Sequence, residues 1–325
     1  MNSVLVKRSF RYATVGAVIL SSAALVRGQT TEHAEAVARI VQLGGQVRRV
    51  DAGTSSQFEV DWSQCSIKDD DLRILTSIEN LTRLDLRRTS ITDAGLHHLR
   101  GLEKLGAVQC DFTHITAAGI AHLSTLPVLT QVALGGPQTR DATLESLVRL
   151  PHLTHLDLSR SRISDAGLKS LAGNEAIQEL ILADTPIGDA GLAHLSRLRQ
   201  LTYLNLAGSK VTDRGLPHLT QLRELASLVL DGTHVTDAGL VPISKLSSLE
   251  SLALSDTEVR GTTLAALGEL PRLRVLSLAG TPITDQALES LLGLSLTTLD
   301  VRLTGLSEDG LRTLQASHLN LTVKY

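Results

Sequence analysis

A leucine or isoleucine recurs every 24 residues through most of this 325-residue chain. A unit of this length cannot bury its own apolar face, so neighbouring units must stack and share one continuous core. The spacing therefore predicts a solenoid of short repeats. The recurring position is occupied by Leu81, Leu105, Leu129, Leu153, Ile177, Leu201, Leu225, Leu249 and Leu273.

The clearest repeat, residues 81–104, begins with a strand pattern. Leu81, Leu84 and Leu86 follow an LxxLxL spacing, which predicts a short strand whose leucines point into the core. The intervening residues then point outward. After the strand, Thr89 is placed to satisfy backbone groups of a turn, because its hydroxyl group can both donate and accept.

The second half of the same repeat has a helix pattern. Thr92 is a predicted N-cap, and Asp93 suits the positive end of a helix dipole. Three leucines at three-residue spacing, of which Leu96 is the first, predict the buried side of a short outer helix. Gly95 is expected to let adjacent helices pack closely, since a side chain there would separate them.

The helix start is the most repetitive part of the sequence, and it carries a family resemblance. The segment ITDAGL and its variants occur at Ile91–Leu96, Ile163–Leu168, Ile187–Leu192, Val211–Leu216 and Val235–Leu240. These repeats resemble leucine-rich-repeat proteins of the ribonuclease-inhibitor-like class, and most of all the exported bacterial versions found in planctomycetes. The resemblance implies an α/β solenoid, a right-handed horseshoe with a parallel β-sheet on the concave face and short α-helices on the convex face. It also implies binding of a protein or another ligand.

Several repeats depart from the consensus. Residues 57–80 form a degenerate first repeat, and Gly135, Gly136 and Pro137 predict a local bend in residues 129–152. The repeat that starts at Leu273 is one residue short. Alternating apolar residues at the end of the chain predict a last strand that closes the stack, formed by Leu319, Leu321 and Val323.

The segment before the repeats divides into two parts. Residues 1–28 are predicted to be an export signal or, if retained, a membrane anchor, because basic residues precede an apolar stretch over 13–26. Residues 29–56 are predicted to be a cap of one helix and one strand, and residues 57–325 a solenoid of about eleven repeats with a terminal strand.

The predicted cap has a definite internal order. A helix begins at Thr31 and Glu32 and ends at Gly44–Gly45. Its apolar side is predicted to contain Val37, Ile40 and Val41. Residues 47–50 are then expected to pair with residues 58–60 across a loop over 51–57.

Composition excludes some classes of function. The net charge is -3, and removing residues 1–28 would take away four basic residues and no acidic one, so a nucleic-acid partner is not expected. The two cysteines, Cys65 and Cys110, are predicted to be buried thiols beyond disulfide reach. The repeated histidines lie too far apart for shared ligation, so neither a metal nor any other cofactor is predicted.

The predicted concave face contains the candidate partner-binding residues. Charged side chains dominate its first half, whereas small residues dominate the second, and charge of this kind can steer a partner. A face that only keeps the sheet in solution is the competing interpretation. The candidates are Arg83, Asp85, Arg87, Arg88, Asp111, Gln131, His155, Asp157, Arg160 and Tyr203.

The function predicted from these residues is non-enzymatic binding. No catalytic motif of the hydrolase, metalloprotease or nucleotide-binding kinds occurs in the sequence. The chain is expected to be exported to the periplasm, cell envelope or cell exterior, with a membrane tether through residues 13–26 if the leader is kept. A protein partner is predicted, with a glycan left open. The alternative is an F-box-like or effector-like adaptor that recruits a target to another machine, and a hydrolase with an unrecognised site is more remote.

Overall fold

Equivalent residues of successive repeats lie side by side in a parallel sheet. In residues 10–162, Leu84 pairs with Val108, and Val108 pairs with Val132. In residues 163–325, Leu204 pairs with Leu228. All five side chains are buried, which confirms the predicted inward direction of this strand position and the stacked leucine-rich core.

The computed structural model describes residues 18–20, 30–52, 55–150, 152–317 and 321–325. These belong to two compact units, residues 10–162 and residues 163–325, and each has its own core. Apart from residues 18–20, the predicted leader lies outside the described residues. Within the described ranges, every helix is too short or too polar to cross a membrane.

The unit of residues 10–162 begins with an antiparallel hairpin and continues as parallel repeats. Its 3₁₀ helices are Asp69–Ser77 and His97–Leu99. Its strands are β1 (Val18–Leu20), β2 (Gln46–Ala52), β3 (Ser55–Asp61), β4 (Leu81–Asp85), β5 (Ala107–Gln109), β6 (Gln131–Ala133) and β7 (His155–Asp157). Its α-helices are α1 (Thr31–Gln42), α2 (Asp93–Leu96), α3 (Ala117–Leu123) and α4 (Asp141–Leu147).

The unit of residues 163–325 contains only parallel strand pairs among its described residues. Its strands are β8 (Glu179–Ile181), β9 (Tyr203–Asn205), β10 (Ser227–Val229), β11 (Ser251–Ala253), β12 (Val275–Ser277), β13 (Thr298–Asp300) and β14 (Thr322–Lys324). Its α-helices are α5 (Asp165–Leu168), α6 (Asp189–Leu195), α7 (Leu240–Ile243), α8 (Leu288–Leu292) and α9 (Glu308–Ser317). Its 3₁₀ helices are Lys169–Gly173, Leu216–Gln221, Asp237–Gly239, Leu264–Glu269 and Asp285–Ala287.

Many of the outer helices are 3₁₀ rather than the predicted α-helices. A three-residue spacing of leucines matches the three residues per turn of a 3₁₀ helix. In the repeat that starts at Leu81, α2 gives way to a 3₁₀ turn at His97, and Leu102 lies beyond both helices although it remains buried.

The cap differs in detail from its prediction. α1 begins at Thr31 as predicted, and its N-cap is Thr30, whose Oγ1 accepts from the His33 backbone N–H. Val41 is 36% exposed, so its predicted place on the apolar side of α1 is wrong. The predicted 51–57 loop is also wrong, because β2 runs to Ala52 and β3 starts at Ser55.

Two further features complete the cap. His33 is fully buried against the Phe58 ring, at 4.6 Å between centroids, and its Nδ1 accepts from the Glu79 backbone N–H at 3.2 Å. β1, which lies within the predicted leader, pairs antiparallel with β2.

Threonine hydroxyls close the turn after the strands, as the sequence predicts for Thr89. Its Oγ1 donates to the Leu86 carbonyl at 2.6 Å. In residues 129–152, Pro137 replaces this threonine, and Thr139 from the next core position donates to the Leu134 carbonyl instead. The equivalent threonines in other repeats are Thr113, Thr185, Thr233, Thr257, Thr281 and Thr304.

In most repeats, an aspartate at the helix start forms hydrogen bonds to the next repeat. Asp189 accepts from both the backbone N–H and the hydroxyl of Thr212, at 2.8 and 2.7 Å. Asp93 makes the same pair of bonds to Thr116, in addition to its predicted place in the first turn of a helix. Asp69 and Asp213 make the same pair of bonds to the threonine of the next repeat. Asp165, Asp237 and Asp285 accept backbone N–H groups of the next repeat.

The remaining local predictions have mixed outcomes. β12 pairs with β13 in a register of Val275 to Thr298, which confirms the repeat that is one residue short. β14 confirms the terminal strand, although Leu319 lies outside the described residues. Cys110 is a buried free thiol as predicted, whereas Cys65 is a free thiol that is only partly buried.

Candidate partner-binding surface

Strand residues that alternate with the core leucines point to the opposite side of the sheet. We call this side of residues 10–162 the sheet face. It consists of the outward residues of β4 to β7 and the residue two positions after each strand. They are Arg83, Asp85, Arg87, Ala107, Gln109, Asp111, Gln131, Ala133, Gly135, His155, Asp157 and Ser159.

Asp85 and Arg87 form a closed ion pair on the sheet face. Asp85 is only 5% exposed. Arg87 Nε lies 2.9 and 2.8 Å from the two oxygens of the Asp85 carboxylate. The Arg87 backbone N–H also donates to Asp85. Burying a carboxylate destabilises the folded chain unless the charge is paired, so Arg87 is required to offset the burial of Asp85.

Arg83 on β4 bridges the strand before it and the second strand after it. Its Nε lies 3.6 Å from Glu59 Oε1, and its Nη1 donates to Gln131 Oε1 at 3.2 Å. The residue between Arg83 and Gln131 across the strands is Ala107, whose small side chain leaves room for this bridge. The structure thus brings together two of the predicted candidates.

Asp111 and Asp157 are carboxyls held partly out of water. The pKa of Asp111 is raised to about 7, mainly by burial and also by the Asp157 and Asp85 charges, although the Gly135 N–H and the Arg87 charge act to lower it. The Gly135 N–H lies 2.6 Å from Asp111 Oδ1. Burial also raises the pKa of Asp157, although Ser159 donates to it from both its backbone and its hydroxyl.

Arg88 and Arg160 do not lie on strands, which corrects their prediction as outward strand residues. Each has a positive φ of 58° in the turn after a strand and is exposed. Phe112 occupies the same turn position with φ 58°, and the Arg88 guanidinium carbon lies 5.2 Å from its ring centroid. A positive φ is unusual for a bulky residue, and an exposed aromatic beside an arginine is typical of interfaces. Sequence reasoning missed Phe112, although it stands 24 residues after Arg88.

The two remaining candidates are His155 and Tyr203. His155 is half-buried, and its Nδ1 lies 2.7 Å from the hydroxyl of its neighbour Thr154. Tyr203 lies in residues 163–325, where it is only 5% exposed. Its role in binding a partner stays a prediction.

The strands of residues 163–325 carry mostly small outward residues, as the sequence indicates. One exception is Asp300, which pairs with Arg302 as Asp85 pairs with Arg87. Burial acts to raise the pKa of Asp300, but the hydrogen bonds and charge of Arg302 together lower it. Burial raises the pKa of Asp231, against the hydrogen bonds from Ser255.

A shallow depression opens on the sheet face beside the hairpin of β2 and β3. Gln109, which the candidate set omits, lies in it and is only 6% exposed. Its position in the strand was readable from the sequence, but its burial was not. The depression is lined by Arg48, Glu59, Val60, Asp61, Arg83, Leu84, Asp85, Ala107 and Gln109.

No metal centre is apparent in the part of the chain that the structure describes, since its His, Cys, Asp and Glu side chains nowhere form a group of three suited to an ion. His97 and His122 do meet edge to face at 5.5 Å between ring centroids, and Arg100 Nη2 lies 3.0 Å from His122 Nδ1.

Comparisons with known proteins agree with this architecture. A family model described as leucine-rich repeat matches residues 78–97, 149–172 and 198–216. The fold is similar to that of an internalin (inlF) from Listeria monocytogenes, with a TM-score of 0.52, 19% identity, and coverage of 90% of this chain and 94% of the internalin. Internalin C2 from the same organism gives a TM-score of 0.43 at 21% identity, covering 79% of this chain and 84% of its own. A search of curated proteins found no match.

Proposed function

We propose that this leucine-rich-repeat protein is a non-enzymatic scaffold that binds another protein through its sheet face. The observation that carries the proposal is the state of Asp111 and Asp157. A face that only keeps a sheet in solution would leave its charges in water. Here two carboxyls are held where burial raises their pKa, at a cost in stability that a bound partner with complementary charge would offset.

The finer assignment is also part of the proposal. The 24-residue ITDAGL-type repeats support placing the chain in the ribonuclease-inhibitor-like class. The basic and apolar pattern over residues 1–28 supports export, and the partner would then be met in the periplasm, in the envelope or outside the cell.

The packing of the cap gives little support to the alternative function, an adaptor that recruits a target. α1 buries Ala36, Val37 and Ile40, and it packs on β2 and on the 3₁₀ helix Asp69–Ser77. A segment engaged in this way covers the end of the repeats, as a capping unit does.

The test is capture by the full-length chain from an extract of the source cells' envelope, followed by affinity measurement with the purified partner. The variant Gln131→Arg/His155→Arg places two long cations on the sheet face. We expect it to weaken binding by about tenfold or more, equivalent to roughly 1.4 kcal/mol.

The matched control is Ala118→Arg/Ala142→Arg, which adds the same two residues at exposed positions of α3 and α4. It should leave the affinity unchanged. If the control weakens binding and the sheet-face variant does not, the partner binds the helical side and the proposed surface is wrong.

A further inference from the structure

The turns after β4 to β7 place one residue each in a row along an edge of the sheet. We call this set the turn row: Arg88, Phe112, Gly136 and Arg160, of which all but Arg160 have a backbone N–H that donates to the following repeat at 2.8 Å. The hydrogen-bond ladder of the strands thus continues through these turns. Since neighbouring strands lie about 4.8 Å apart, the row spans about 14 Å from Arg88 to Arg160.

The turn row contains side chains that its backbone disfavours. All four residues have positive φ, which suits glycine and which aspartate tolerates, whereas a bulky residue is uncommon there. In residues 163–325, every described turn at the equivalent position carries glycine or aspartate except the turn of Leu303. The turn row has two arginines and a phenylalanine instead. Backbone conformations of this kind cluster at functional sites.

The Phe112 ring is held from both neighbouring repeats. The Arg88 guanidinium carbon lies 5.2 Å from the ring centroid. In the following repeat, a Cβ at Gly136 would lie 3.1 Å from Phe112 Cδ1, so the glycine leaves room for the ring. Gly136 therefore has a structural role beyond the local bend that the sequence predicts. Phe112 is nevertheless 37% exposed, which leaves an apolar surface at the edge of the sheet.

The surroundings of Phe112 on this edge carry positive charge. Arg88 is exposed, and no carboxylate among the described residues pairs with it. Asp111, the acidic neighbour of Phe112 in the sequence, lies on the sheet face, where the Gly135 N–H donates to it. The residues two positions beyond the turn row are all exposed, and none is acidic: Ser90, His114, Gln138 and Arg162. In a chain of net charge -3, this edge is a local region of the opposite sign.

We propose that the turn row binds an acidic, extended segment of the protein partner. An apolar side chain of that segment packs on the Phe112 ring, and carboxylates on either side of it pair with Arg88 and with Arg162, which lies beside the other end of the row. An extended chain rises about 3.3 Å per residue, so carboxylates four residues apart are separated by about 13 Å, close to the length of the row. A guanidinium binds a carboxylate through paired hydrogen bonds. The inference rests on the proposed function and adds to it the chemistry that the partner presents at this edge.

The adjoining sheet face favours a peptide over a nucleic acid. A nucleic acid also combines negative charge with surfaces that stack on an aromatic ring. Its phosphates follow one another along the whole backbone, however, and those beside the row would approach the carboxyls of Asp85, Asp111 and Asp157. A peptide carries its charges singly, so it can place them at the arginines alone.

The first measurement is an NMR titration of the full-length chain with the N-acetylated, C-amidated pentapeptide Glu-Gly-Leu-Gly-Glu, whose alternate side chains share one side of an extended backbone. The Phe112 ring and Arg88 guanidinium signals should shift with a saturable dependence on this peptide. The counterpart with glutamine at both ends keeps the shape but loses the charge. It should bind about fivefold more weakly, as expected from the loss of two exposed ion pairs. Equal affinities for the two peptides, or no shift with either, would overturn the proposal.

Arg88→Gly separates binding from structure. It removes the cation and relieves the positive φ, so affinity for the acidic peptide should fall about threefold, whereas the thermal midpoint should stay constant or rise. If Arg88 only supported the Phe112 ring, the midpoint would fall instead. Leu303→Gly makes the same backbone change at an exposed left-handed turn of residues 163–325, and it should leave the peptide affinity unchanged. An equal loss of affinity in both variants would count against the turn row.

Three outcomes separate this inference from its rivals. If an oligo(dT) strand shifts the Phe112 and Arg88 signals with saturation and the acidic peptide does not, the row binds nucleic acid and the inference is wrong. If the purified partner binds wild type and Arg88→Gly equally while Gln131→Arg/His155→Arg weakens binding, the inference fails and the proposed function stands. If only Arg88→Gly weakens binding of the partner, the turn row is the binding surface and the sheet face is not.

Discussion

The carboxylate of Asp189 occupies the space that a side chain at Gly215 would need. A Cβ atom at residue 215 would lie 2.6 Å from Asp189 Oδ1 and 2.9 Å from Asp189 Cα. The glycine of the ITDAGL-type segment therefore makes room for the aspartate of the preceding repeat, which in turn bonds to Thr212. The same relationship joins Asp69 with Gly95, Asp93 with Gly119, Asp165 with Gly191, Asp213 with Gly239 and Asp285 with Gly310.

Gly215→Ala should lower the free energy of unfolding by about 1–3 kcal/mol, because the added methyl group overlaps the Asp189 carboxylate and backbone. Urea unfolding followed by circular dichroism measures it. Gly268→Ala is the control, since a Cβ there meets nothing within 4 Å, and it should be neutral or slightly stabilising. In the background of Asp189→Ala, the cost of Gly215→Ala should shrink, and an unchanged cost would contradict the proposed coupling.

Leu204→Asp should unfold the repeats around β9. Leu204 is fully buried, and an unpaired charge in that position costs several kcal/mol, which stacked repeats share through their interfaces. The thermal melting curve should show a much lower midpoint. Leu303→Asp makes the same chemical change at a residue that is 87% exposed, and it should leave the curve unchanged. Equal curves for the two variants would show that the strand register is wrong.

Asp111 should make the chain less stable as the pH rises. Its pKa is about 7 in the folded chain against an ordinary 3.8, so the folded state binds more protons than the unfolded state between these values. Stability from this group is therefore present at low pH and is lost as the pH rises through that window. Asp111→Asn should be more stable than wild type at pH 8, and the difference should shrink by pH 5. Asp70→Asn, an exposed position, should show no such trend.

His33 should act in the opposite direction. Burial lowers its pKa below the ordinary 6.5, with the Glu79 charge opposing, so the unfolded state takes up a proton that the folded state excludes. Stability should therefore fall as the pH falls below 6.5, because a protonated Nδ1 can no longer accept from the Glu79 N–H. His33→Asn keeps an acceptor without a titrating group. A wild-type stability curve that parallels that of His33→Asn between pH 7 and pH 5 would contradict this role.

The repeated fold was predictable because its signals are local and recur. Leu84 and its equivalents in later repeats set the inward strand position, and Thr89 sets the turn. The role of Asp93 was only half predictable, since its place in a helix start is local but its bond to Thr116 joins two repeats. Gly95 was correctly linked to close packing, but the sequence did not name Asp69 as the group that needs the space.

The candidate surface was less predictable for a physical reason. Alternation along a strand places Gln109 and Asp85 on the same side of the sheet, but it does not give their burial or their partners. Arg88 and Arg160 lie in turns where the backbone is left-handed. The sequence does not indicate this conformation, because arginine rather than glycine occupies both positions. Gln109 Oε1 has no hydrogen-bond partner among the described residues, and the nearby Arg83 and Arg87 are paired with Gln131 and Asp85 instead. These pairings join different repeats or turns and cannot be read from the alternation along one strand.

The aspartate bridges also govern how a chain of this kind can change length. Asp189 finds its hydrogen-bond donors 23 residues onward, and the same contact recurs at Asp213 and Thr236. Excising residues 190–213 would leave Asp189 facing Thr236 and Gly239, so every broken bridge would be replaced by an equivalent one. Duplication or loss of one whole 24-residue repeat should thus be tolerated at these joints, because the aspartate, its hydrogen-bond donor and its glycine keep their spacing. The short repeat that starts at Leu273 keeps the same contacts, from Asp285 to Ser307 and Gly310, with one residue fewer.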